Sequence, residues 1–146
     1  MLTAREIMTT SPTILDIATP ITDVARTLRE ENIGAVVICN PEQRLQGVVT
    51  DRDIAVEVVA AGKDPQGVTA GDILSGRETV TIGADDSIDE AIQTMIDHAV
   101  RRLPVIDGTQ VVGMVTQADI ALNVPEERVA ELVRSISAAP DNTGRG

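Results

Sequence analysis

One seven-residue skeleton occurs twice in this chain, and its return limits what the chain can become. Gly47-Val48-Val49-Thr50-Asp51-Arg52-Asp53 comes back sixty-six residues on as Gly113-Met114-Val115-Thr116-Gln117-Ala118-Asp119, and Ile-Ala follows each copy. A glycine, two apolar residues, a threonine and an aspartate three positions later describe a short buried strand entering the first turn of a helix. Thr50 and Thr116 stand where an N-cap belongs, and Asp53 and Asp119 take the reciprocal position of a capping box. Such a cap contributes roughly 1 kcal/mol. The same corner also presents side-chain oxygens and backbone N–H groups to a polyhydroxyl ligand.

The flanking sequence repeats as well. Thr3-Ala4-Arg5-Glu6 and Thr69-Ala70-Gly71-Asp72 each open a short helical turn. Extended segments around Thr13-Ile14-Leu15 and Thr79-Val80-Thr81-Ile82 follow. The next helices begin near Pro20 and Ser87, with Ile21, Val24, Ala25 and Leu28 on one stripe and Ile88, Ala91, Ile92 and Met95 on the other. The acids Asp85, Asp86, Asp89 and Glu90 at the second start read as caps, where negative charge suits the helix dipole, and not as metal ligands.

Apolar strands come next, Ala35 to Cys39 and Leu103 to Ile106, with turns at Asn40-Pro41-Glu42-Gln43-Arg44 and Asp107-Gly108-Thr109. The glycine motif then closes a hairpin and launches a helix, which in the first copy carries Ile54, Val58 and Val59 and stops near Gly62. Residues 62–68 read as the linker. The expected fold is therefore mixed α/β (α+β), with a β-α-β-β-α repeat over 2–66 and another over 67–124. An amphipathic helix over 125–137 carries Val129, Leu132, Val133 and Ile136, and a flexible tail is expected over 138–146. Units of about 60 residues bury only about 60% of their unfolded surface. Two such repeats are expected to pack as a pseudo-twofold pair with a ligand groove between them.

Composition narrows the function classes. Phe, Trp and Tyr are absent, so the core is aliphatic and no aromatic shelf exists for stacking a base. The net charge of −11 argues against nucleic acid and against an anionic membrane surface. Eleven of the twelve basic residues are Arg, which suits bidentate phosphate contacts but follows equally from a coding bias. Cys39 is the single cysteine, so no intramolecular disulfide forms, and with no signal peptide or long apolar run a cytoplasmic location is expected. His98 is the single histidine and reads as a helix C-terminal cation. The sequence offers no nucleophile–base pair, P-loop or His/Cys metal spacing, so no enzyme activity and no required cofactor are expected.

The doubled signature, with Arg102-Leu103-Pro104-Val105-Ile106-Asp107 ahead of its second copy, resembles the tandem CBS-domain family, whose paired repeats form a Bateman module. Asp51-Arg52-Asp53-Ile54, Ala61-Gly62-Lys63-Asp64-Pro65 and Val100-Arg101-Arg102 also resemble the small stand-alone CBS-pair proteins of actinobacteria, of the hypoxia-response type. The resemblance implies a regulatory homodimer binding AMP, ADP, ATP or a related adenosine compound in clefts between the repeats. It further implies that Asp53 and Asp119 accept ribose hydroxyls and that Thr50 and Thr116 contact ribose or phosphate. Thr13, Ile33, Ala35, Thr79 and Val100 would enclose the purine.

At the phosphate end the copies diverge. Arg52 lies inside the first signature, and Arg101-Arg102 precede the second where the first copy has only Gly34-Ala35. Either the three arginines serve one cleft or each cleft is partly equipped. Arg101 and Arg102 also have a plainer reading, as surface cations offsetting the acids. The alternative function is a dimeric scaffold that binds an effector protein, its nucleotide clefts empty or vestigial.

Overall fold

Residues 2–138 are described in a computed structural model of the chain. From residue 139 onward, the expected tail lies outside the described residues. The elements are, in order, α1 (Ala4–Ile7), β1 (Thr9–Thr10), β2 (Ile14–Asp16), α2 (Ile21–Glu31), β3 (Ala35–Cys39), β4 (Leu45–Thr50), α3 (Asp51–Ile54) and a π-helical turn (Ala55–Val59). The second half supplies α4 (Ala70–Leu74), β5 (Ile82–Gly83), α5 (Ile88–His98), β6 (Arg102–Asp107), β7 (Gln110–Thr116), α6 (Gln117–Ala121) and α7 (Glu126–Ala138). The fold is mixed α and β, as the repeat implied.

The chain forms two compact units, one of Thr13–Thr79 and the other of Met1–Pro12 with Val80–Gly146. Repeat bounds in sequence and units in space are thus two different divisions of the chain. Each repeat's opening turn joins the unit that carries the other repeat's sheet. Ala4 N donates to Asp86 O at 2.9 Å and Arg5 N to Ala84 O at 2.9 Å, while Ala70 N donates to Thr19 O and Gly71 N to Ile17 O, both at 2.9 Å. Apolar burial follows the same exchange. Ala4 and Ile7 lie in the core built on α5 and β6, and Ala70, Ile73 and Leu74 lie in the core built on α2 and β3.

In the unit of Thr13–Thr79, β3 is central, parallel to β2 and antiparallel to β4. Val36 to Cys39 are all buried, which explains the unbroken apolar run of that strand. Cys39 is a buried free thiol, and burial pushes its pKa up, so it packs as a small hydrophobe. In the other unit, β6 lies between its parallel neighbour β5 and antiparallel β7, and β1 adds to the outer edge of β7.

The long helices bury the stripes the sequence predicts, with Ile21, Val24 and Leu28 inside on α2 and Ile88, Ala91, Ile92 and Met95 inside on α5. Two stripes are narrower than expected. Val59 is 68% exposed, and Val58, one turn beyond Ile54, is the buried residue of the π turn. On α7, Leu132 and Ile136 are buried but Val133 is 37% exposed, so the helix lays a strip only two residues deep against α5 and α6.

The acids at the start of α5 do the work of caps and ion pairs. Asp86 Oδ2 accepts Gly83 N at 2.8 Å, Ser87 Oγ accepts Glu90 N at 3.1 Å, and Asp85 and Asp89 pair with Arg5 and Arg128. Among the described residues, no group of three or more His, Cys, Asp or Glu is placed to hold a metal ion. No described helix is long and apolar enough to cross a membrane.

Candidate functional site

Both signature copies form the strand-to-helix corner their sequence predicts. Thr50 is extended at φ −109° and ψ 164°, Thr116 at −112° and 164°, and helical residues follow at once. Thr50 Oγ1 accepts Asp53 N at 3.1 Å, and Asp53 Oδ2 accepts Thr50 N at 2.9 Å. Thr116 Oγ1 accepts Asp119 N at 3.2 Å, and Asp119 Oδ2 accepts Thr116 N at 2.9 Å and the Thr116 hydroxyl at 3.0 Å. In each box one carboxylate oxygen is committed to holding the turn. What differs is the second oxygen.

Asp53 is fully buried, and its Oδ1 receives the Arg77 guanidinium, Nη1 at 3.1 Å. Arg77 Nη2 pairs in turn with Glu57 on the π turn. Asp119 is half-buried, and among the described residues its Oδ1 accepts no hydrogen bond from the protein. Sequence reasoning missed both Arg77 and Glu57. The available signal was Glu57 itself, one helical turn after Asp53, since two carboxylates stacked on one face call for a cation.

The strand before each corner brings further expected residues alongside. Ala35 pairs with Thr50 in the β3–β4 register, and Asp51 N donates to Gly34 O at 3.0 Å. Arg102 pairs with Thr116 in the β6–β7 register, and Gln117 N donates to Arg101 O at 2.9 Å. Directly opposed residues project from the same sheet face, so Arg102 and Thr116 share one. Arg101 is exposed, Arg102 half-buried, and Arg52 exposed in the first turn of α3.

The residues expected around a purine are dispersed differently. Ile33 stands at the surface, 36% exposed, and Val100 is packed into the apolar core. Thr13 donates its hydroxyl to Glu31 at 2.6 Å, while its carbonyl accepts Val37 N at 2.9 Å. Thr79 donates its hydroxyl to Gln46 O on β4 at 2.9 Å, which ties it to the Asp53-bearing unit.

A sequence model of the CBS domain matches residues 4–60 and again residues 70–126. The chain belongs to the CBS-domain family. Within it, the chain is 42% identical over 137 residues to hypoxic response protein 1 of Mycobacterium tuberculosis, covering 93% of this chain and 94% of that one. The crystal structure of hypoxic response protein I with two coordinated zinc ions superposes at a TM-score of 0.76 and 42% identity, over 85% of this CBS chain and all of that one. A CBS domain protein from Pyrobaculum aerophilum complexed with AMP shares the fold at a TM-score of 0.75 and 24% identity, over 91% and 99% of the two chains.

Proposed function

We propose that this CBS-pair protein is a non-catalytic regulatory module that binds an adenosine-containing ligand of the AMP, ADP or ATP type. The observation that carries this reading is the Asp119 corner. A half-buried carboxylate there keeps one oxygen clear of donors among the described residues, beside a threonine and two successive arginines. That set supplies an acceptor for vicinal hydroxyls and cations for phosphate. A family member complexed with AMP supports the ligand class. Titration calorimetry with AMP, ATP and NAD tests the reading. Asp119→Ala is expected to remove about 1.5–3 kcal/mol of binding, the range for a hydrogen bond to a charged group. Absence of heat with all three nucleotides at millimolar concentration sinks it.

A second reading, a homodimeric scaffold that binds no nucleotide, draws on surface apolar residues. Leu122 is 84% exposed and Val59 68% exposed. Sedimentation with and without AMP separates the two. A dimer whose melting temperature ignores nucleotide favours the scaffold, whereas a ligand at a hundredfold excess over Kd adds about 2.7 kcal/mol.

A further inference from the structure

The two corners are alike in sequence but not in what their aspartates are bonded to. Asp53 is 0% exposed, with Oδ2 given to Thr50 N and Oδ1 to Arg77 Nη1. Arg77 is held in place from both sides. Its backbone N donates to Leu74 O at 3.0 Å after the positive-φ turn at Gly76, and its second terminal nitrogen pairs with Glu57. The counterpart of Glu57 in the other copy is Asn123, which turns its amide onto Asp119's own backbone carbonyl at 2.7 Å. No second carboxylate recruits an arginine there, and Asp119 Oδ1 is without a protein donor among the described residues.

We infer that Arg77 is a resident substitute for a ligand at the first corner, and that it assigns nucleotide binding to the Asp119 corner alone. The assignment of the site rests on the nucleotide-binding reading above; the arginine lock does not. A guanidinium offers the carboxylate the same N–H or O–H donor chemistry as a pair of ribose hydroxyls, and adds charge attraction. A neutral polyol entering this corner would have to displace the Arg77 guanidinium from Asp53 and replace a charged donor by neutral ones at a fully buried carboxylate. Uncovering one member of a buried pair is costly, so no ordinary hydroxyl competes. The corner is then a fastening for the segment that leads from α4 to β5, and the chain takes one nucleotide.

The test counts AMP bound per full-length chain and measures the fastening separately. Calorimetry or equilibrium dialysis of the unaltered protein is expected to give one AMP per chain. Asp119→Asn should weaken AMP at least tenfold and lower the melting temperature less than Asp53→Asn, since it weakens a cap but breaks no ion pair. Asp53→Asn should lower the melting temperature and leave AMP affinity within twofold. Two AMP per chain, or loss of AMP affinity in Asp53→Asn as large as in Asp119→Asn, overturns the site assignment. Should Asp53→Asn not fold, the stoichiometry of the unaltered protein together with Asp119→Asn decides the assignment: one AMP per chain, lost in Asp119→Asn, supports it, and two overturns it.

If the unaltered protein binds no nucleotide, both the function reading and the site assignment fail, while the lock is still judged without ligand. Arg77→Gln, Glu57→Gln and their double variant are compared by urea unfolding. A double variant that loses clearly less than the two single losses together supports the lock, and simple additivity overturns it.

Discussion

Gly113 lies directly under Met8. A Cβ built on this glycine would stand 2.8 Å from Met8 Cγ and 2.9 Å from the backbone oxygen of Thr9. The glycine of the second signature is therefore required by the N-terminal segment that crosses it, β1 pairing with β7 at Thr10 and Gly113. Its counterpart Gly47 meets only the flexible end of Leu74, at 3.0 Å, though at a φ of +154°. Gly113→Ala is expected to cost about 1–3 kcal/mol through overpacking, because a backbone atom cannot step aside as a side chain can. Urea unfolding checks this, with Gly67→Ala as control. Gly67 has its nearest neighbour at 3.6 Å, and its substitution should stay within about 0.5 kcal/mol of no effect.

The same crossing makes an unusual deletion informative. Ala4 and Ile7 are buried in the core that contains Leu103, Val115 and Leu132, all far along the chain. Removing residues 1–12 is expected to loosen β6, β7 and α5 while leaving β3 and β4 protected. Native-state hydrogen exchange, resolved by segment, reads the difference. Fast exchange in β3 and β4 with β6 unchanged would mean that the N-terminal segment serves the repeat it precedes.

Much of this fold is legible in the sequence because its signals are local. Capping pairs at Thr50–Asp53, Thr69–Asp72 and Thr116–Asp119 form as their three-residue spacing dictates. Helix stripes on α2 and α5 follow from periodicity alone. What sequence spacing does not reveal is which unit a short turn joins. Ala4 and Ala70 occupy equivalent positions in their repeats, and nothing in either local sequence says that each packs on the sheet of the other repeat. The Arg77–Asp53 pair is hidden for the same reason, since its members lie twenty-four positions apart in the chain. The π turn is invisible too. Nothing in the composition of Ala55 to Val59 marks the extra residue per turn, and the burial of Val58 one turn after Ile54 fits an ordinary helix as well.

Acid should weaken the cap of α4 in a defined direction. Asp72 is held below the ordinary aspartate range, first by the Thr69 backbone N–H and then by the Thr69 side chain. A carboxyl whose folded pKa is depressed contributes stability above its unfolded value, near 3.9, and loses it as the pH falls through the lower folded value. The stability gap between the unaltered chain and Asp72→Asn is therefore expected to be full at neutral pH and to close in strong acid. Urea unfolding at pH 7 and again below pH 3 measures it. A gap that widens on acidification would contradict the hydrogen-bond origin of the shift.

The ends of α2 and α5 offer a final comparison, since one backbone conformation is met there by two different residues. Asn32 and Ala99 both sit in the left-handed region at φ 54°. Each is followed by a return hydrogen bond, Ile33 N to Leu28 O and Val100 N to Met95 O, both 3.1 Å. Asparagine tolerates this conformation, whereas alanine places its Cβ against the following carbonyl, at roughly 1–2 kcal/mol. Ala99→Asn adds little backbone freedom to the unfolded chain, unlike glycine, so most of the relief should survive as native stability. It is expected to raise stability by about 0.5–1 kcal/mol, and Asn32→Ala to lower it by a similar amount. Thermal unfolding of the two variants decides the matter, because a helix end governed only by its hydrogen bonds would respond to neither substitution.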